Sequence, residues 1–94
     1  MPNFTARIEL HGAKTSEDYE NLHREMENKG FSRDITDSKG VSYRLPTAEY
    51  NYVGQRTIEQ VLEMAKSAAS KVKADFEAIV TESNGRRWYN LHIQ

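Results

Sequence analysis

Between Thr57 and Asp75 the residues Ile58, Val61, Leu62, Ala65, Ala68 and Val72 recur at three- and four-residue spacing, with Thr57 and Gln60 in capping-box register ahead of them. This spacing predicts a helix with one apolar stripe, and the stripe has to be covered by something. Tyr19, Leu22, His23 and Met26 define a second such helix, with Thr15 or Ser16 placed to cap it and Glu17 and Asp18 in its first turn. Gly30 stands where a left-handed stop would end that helix, and Phe31 follows to fold back on its last turn. Phe4, Ala6, Ile8 and Leu10 alternate with Thr5, Arg7, Glu9 and His11, the period of a strand with one buried face. One-sided helices and a one-sided strand in 94 residues leave room for one layer of sheet under one layer of helices.

The remaining segments complete the layout. Phe31 to Thr36 reads as a strand, and Asp37 to Gly40 as a four-residue turn. Val41 to Leu45 and Ala48 to Val53 read as two extended segments, with a bend at Pro46, which lacks a ladder donor. "FEAIVTE" (76–82) and "RWYNLHI" (87–93) are strand-like, and Asn84-Gly85 between them signals a hairpin. The expectation is an α+β chain forming a single domain over residues 1–94. It is a ferredoxin-like two-layer sandwich, βαββαβ plus a C-terminal strand, with both helices on one face of an antiparallel sheet. The other face then presents Thr5, Arg7, Glu9 and His11 as a binding platform or a dimer interface.

Thirteen basic and fourteen acidic side chains give a net charge of −1, so no bulk field attracts nucleic acid and any polyanion site must be a local cluster. The absence of cysteine excludes a disulfide scaffold, a thiolate metal site and a cysteine nucleophile, and fits a reducing, cytoplasmic setting. "MPNFTARIEL" lacks the layout of a signal peptide, and the apolar runs are short, so no membrane association is expected.

The succession "YENLHREMENKGFSRDI", "GVSYRLPTAEY", a capped helix and then "IVTE" resembles the GhoS-type endoribonuclease antitoxins of type V toxin–antitoxin systems, which look like the CRISPR-associated ferredoxin-like nucleases. The matching positions are the Gly30-Phe31-Ser32 junction and the basic residue with leucine at Arg44-Leu45. The resemblance implies cleavage of the messenger RNA that encodes a partner membrane toxin. One feature departs from the CRISPR-associated relatives. They carry an aspartate near the end of the first strand for a metal, where this chain has Glu9, His11 and Gly12.

Among side chains able to move a proton, His11 sits at a strand end beside a glycine, where a neutral imidazole can take a proton from a ribose 2′-hydroxyl. Glu9 shares its strand face, and Glu49 can approach from a neighbouring strand. These three are the catalytic candidates; as metal ligands they are too few and too loosely placed for a closed site, so neither a metal nor a cofactor is expected. His23 lies on the apolar stripe of its helix and reads as structural. Phosphate contacts fall to Arg33, Arg44, Arg56, Arg86 and Arg87, whose planar forks suit phosphate. In a ferredoxin-like order Arg56 and the Arg86-Arg87 pair lie at the same edge and converge, as exposed turn charges with little weight in stability. Tyr43 is the aromatic neighbour of Arg44. Tyr50 and Tyr52 share a face, which makes them a base-stacking platform if it is the open face and core if it is the covered one.

Two functions remain open. The first, which the resemblance implies, is an endoribonuclease antitoxin acting on single-stranded RNA. The second is a non-catalytic dimeric module that binds an RNA or protein partner. RNA is the expected ligand and DNA is not, and a homodimer would form through the open face or by exchange of the terminal strand.

Overall fold

In the computed structural model, which describes residues 2–12 and 15–94, the elements are β1 (Asn3–Leu10), α1 (Ser16–Asn28), β2 (Asp34–Thr36), β3 (Ser42–Arg44), β4 (Glu49–Val53), α2 (Ile58–Ser70) and β5 (Phe76–Ser83). The alternation in β1 does what its period requires. Phe4, Ala6, Ile8 and Leu10 are buried against the helices, while Arg7 and Glu9 face outward. β1 is the central strand of an antiparallel sheet in the order β4-β1-β5, pairing Arg7 with Glu49 on one side and with Ile79 on the other. Leu22 and Met26 of α1 and Val61, Ala65, Ala68 and Ala69 of α2 close the core from above. The alanines of α2 bring its backbone close to α1 and the sheet.

Both helix ends are explained by their sequences. Thr57 Oγ1 accepts from Gln60 N at 3.1 Å and Gln60 Oε1 accepts from Thr57 N at 2.9 Å, the reciprocal box expected for α2. Gly30, at φ +93°, ends α1 with its N–H donating to Glu27 O, while Phe31 N–H donates to Met26 O and the Phe31 ring is buried. Thr15 occupies the N-cap of α1 without a side-chain capping bond. Lys71 and Lys73 reach Glu25 and Asp18 at 3.8 and 3.5 Å, tying the far end of α2 to α1.

β2 and β3 form a two-stranded ribbon in which Asp34 opposes Arg44. The turn between them is the expected one: Asp37 Oδ1 accepts from the N–H groups of Lys39 and Val41. The ribbon joins the main sheet through a bridge from Ser32 to Asn51 on β4. The bend at Pro46 is a four-residue turn closed by Glu49 N–H to Pro46 O at 3.1 Å, with Ala48 at φ +72°.

The terminal hairpin is corrected. Segment 84–94 does not pair with β5. After Gly85 it crosses the open face of the sheet and runs beside β3, where Arg44 N–H donates to His92 O, Gln94 N–H donates to Ser42 O and Ile93 bridges Tyr43. Apolar burial explains the change of partner. Trp88 and Leu91 gain cover against Ile35 and Leu45 of the ribbon region, which an extended hairpin would have left in water.

Candidate functional site

The segment that crosses the open face also borders several concavities. Cavities of about 550, 480 and 440 Å³ lie around it, and Arg86 and Trp88 border all three. Together they form a groove between the outer face of the β1–β5 pair and the β2–β3 ribbon. Arg86 is half-buried there, its Nη2 donating to Phe4 O at 3.0 Å and to Thr5 Oγ1 at 2.9 Å, while its Nε is buried without a partner. Burial lowers its pKa from the usual guanidinium value, an effect too small to discharge an arginine. Arg87 is exposed and folds back on Arg86 O at 2.6 Å. Among the described residues neither arginine has a carboxylate within ion-pair distance. Trp88 stands against Tyr43, with ring centroids 5.4 Å apart at 57°, and the Tyr43 hydroxyl donates to Asp37. Glu49 lines the same groove at the start of β4.

Arg86, Arg87 and Glu49 are therefore brought together in one lining, with Tyr43 reaching it only through its contact with Trp88. Trp88 and Tyr89 join them, unforeseen because the hairpin pattern placed both on a strand beside β5. Their signal was the composition "RRWY", two cations followed by two aromatics.

The other candidates fall elsewhere. Arg56 donates to the Tyr52 hydroxyl on the helix-covered side, while Arg86 reaches Thr5 on the opposite side, so the two do not converge. Arg44 is paired with Asp34 at 2.7 Å and with Gln94 Oε1 at 3.0 Å. With Arg33 it lines a cavity of about 470 Å³ that also holds Glu27 and Asp34 at the C-terminal end of α1. Asp34 engages Arg44 directly, and Glu27 and the helix terminus share the lining with Arg33.

His11 sits at the far end of β1. Its Nε2 is 2.9 Å from Glu77 Oε1 and its Nδ1 is 3.1 Å from Asp75 Oδ1, and the hydrogen bond to Glu77, then that to Asp75, raises its pKa above the ordinary 6.5. Both ring nitrogens are thus occupied. Glu9 is exposed opposite Glu77, so this end of the sheet is acidic. His11 lies six residues along the strand from Thr5, a separation of about 20 Å at ~3.3 Å per residue, so it cannot serve a phosphate held by Arg86. Among the described residues no cluster of three histidine, cysteine or carboxylate groups is placed to hold a metal ion, and no helix is long and apolar enough to cross a membrane.

Tyr50 and Tyr52 belong to the covered face. Tyr50 is fully buried with its hydroxyl 2.6 Å from His23 Nδ1, and Tyr52 packs on Phe4 and Phe31. His23 is structural as read: burial, with Arg33 and Arg44 nearby, lowers its pKa to about 4. Burial likewise pushes the Tyr50 hydroxyl up.

Comparison with protein-family models, with characterised proteins and with solved structures finds no match to the chain.

Proposed function

We propose that the chain is a ferredoxin-like endoribonuclease of the antitoxin type, binding single-stranded RNA in the groove at Arg86 and Trp88 and cleaving the message of a partner toxin. The order β5-β1-β4, carried on to the residues before β2 by the Ser32–Asn51 bridge, and the two helices on one face support the ferredoxin-like reading. The observation that carries the functional reading is that Arg86 and Arg87, without carboxylate partners among the described residues, line the same cavities as Trp88, whose ring is backed by Tyr43. Cations that follow a backbone beside aromatic rings that take bases are the usual means of holding a single strand.

Glu49 is the one catalytic candidate inside the groove. In the proposed step its carboxylate takes the proton of a ribose 2′-hydroxyl and that oxygen attacks the adjacent phosphorus. The bond to the 5′-oxygen breaks, the departing oxygen takes a proton from water, and the products are a 2′,3′-cyclic phosphate and a 5′-hydroxyl. Arg87, and Arg86 behind it, offset the charge that builds on the phosphoryl oxygens.

The test is a cleavage assay on a mixed RNA pool with the ends mapped. Glu49→Gln is expected to slow cleavage by roughly a hundredfold or more while RNA binding persists. Cleavage that continues in EDTA fits the proposed step, and Glu49→Gln with full activity would refute the role of Glu49. A second reading, the non-catalytic binding module, is favoured by the two carboxylates that occupy both nitrogens of His11. Tight binding of the pool with no cut ends, with or without added divalent metal, would establish it.

A further inference from the structure

Along residues 86–89 burial alternates: Arg86 and Trp88 are half-buried, and Arg87 and Tyr89 are exposed. Tyr89 is 92 % exposed, the largest value among the exposed large hydrophobic residues of the described chain. A ring left so open would be unremarkable on a free end, but this segment is fixed on both sides. Arg86 anchors it to Phe4 and Thr5, Trp88 stands on Tyr43, and beyond Tyr89 the carbonyl of His92 and the N–H of Gln94 are bonded to β3. Asn90 takes a left-handed φ of +61° directly after Tyr89, which turns the chain at that point. The ring thus stands at the mouth of the 480 Å³ cavity, whose walls include Leu45, Pro46 and Leu91, with Arg87 beside it.

We propose that Tyr89 is the stacking residue of a nucleobase subsite. An unpaired base enters the cavity mouth and lies on the Tyr89 ring, with Pro46 and Leu91 as further apolar walls, while the phosphate of that nucleotide meets Arg87. The inference rests on the RNA-binding reading above and adds to it the position of one base. The size of the cavity suits one nucleotide, and its apolar lining with a cation at the rim is the composition such a subsite needs. Contact through the face of a ring is tolerant of sequence, because every base presents a flat surface.

The experiment compares fluorescence-anisotropy binding of a short oligoadenylate RNA with that of an abasic strand of the same length, using the whole chain, its Tyr89→Ala variant and its Tyr89→Phe variant. The abasic strand offers the phosphates without the bases. Wild type is expected to prefer the oligoadenylate, Tyr89→Ala to weaken oligoadenylate binding by about 5- to 100-fold with little change for the abasic strand, and Tyr89→Phe to restore the preference. An exposed side chain carries no part of the core, so loss of folding is not expected to confuse the result. If wild type binds both strands equally, or Tyr89→Ala keeps the full preference, the subsite is refuted while the arginine groove stands. If neither strand binds, the RNA-binding reading and the subsite fall together.

Discussion

The turn from Pro46 to Glu49 places a non-glycine residue where the backbone favours glycine. Glu49 N–H closes the turn on Pro46 O, and Ala48 sits at its third position with φ +72°, the type II geometry. An alanine there costs about 1–2 kcal/mol relative to its preferred conformations, because Cβ crowds the following carbonyl. Ala48→Gly removes that strain but gives the unfolded chain more freedom, which takes back about 0.4–1 kcal/mol. The net expectation is a gain of about 0.5–1 kcal/mol, or ~2–8 °C in melting temperature for a domain of this size. Thermal unfolding followed by circular dichroism checks it. Gly40→Ala supplies the opposite sign: Gly40 has φ +84° and open space where a Cβ would stand, so only backbone strain changes and a loss of about 1 kcal/mol is expected. An Ala48→Gly variant that melts at or below the wild-type temperature would refute the strained turn. The site also bears on function, since this turn sets the position of Glu49 in the groove.

Arg86 and Arg87 should separate cleanly when each is truncated. Arg86→Ala removes the cation from two acceptors under the crossing segment and is expected to cost about 1–3 kcal/mol, whereas Arg87→Ala should stay within about 0.5 kcal/mol, both read from denaturant unfolding. Two histidines should titrate on opposite sides of 6.5 in imidazole NMR. His11, bonded to Glu77 and Asp75, should stay protonated above that value, so its stabilisation is present below pH 6.5 and fades as pH rises through its raised pKa. His23, lowered to about 4 by burial, should stay neutral, so stability falls as pH drops from 6.5 toward 4 and the unfolded chain alone takes the proton. A His23 that titrates above 6.5 would contradict its packing against Tyr50.

The elements with a strong local signal were legible in the sequence. Thr57 and Gln60 cap α2 reciprocally, Gly30 stops α1, and the alternation of β1 predicts its buried face residue by residue. The positions of Tyr50 and Tyr52 followed once the covered face was known, and they proved to be core. The fate of segment 84–94 was not legible, for a physical reason. Asn84-Gly85 permits a hairpin, but the turn alone does not choose a partner, and the burial of Trp88 and Leu91 against Ile35 and Leu45 involves residues about forty to sixty positions away. Because the groove is made by that crossing, half of the candidate site was hidden with it. Arg86 read as an exposed turn charge and is a half-buried anchor. Glu9, His11 and Glu49 share the open face, yet the strand separates His11 from Thr5, where Arg86 is anchored, by about 20 Å, a distance that alternation alone does not reveal.

The most direct test of the central claim is an amide chemical-shift map of the protein titrated with a short single-stranded RNA. Shifts are expected to gather at Thr5, Ile35, Tyr43, Glu49 and residues 85–91, with the indole N–H of Trp88 among the largest, and to weaken steeply with salt as phosphate contacts are screened. Shifts centred on His11, Asp75 and Glu77 instead, or no shifts at any RNA concentration reached, would contradict the assignment of the groove as the RNA site.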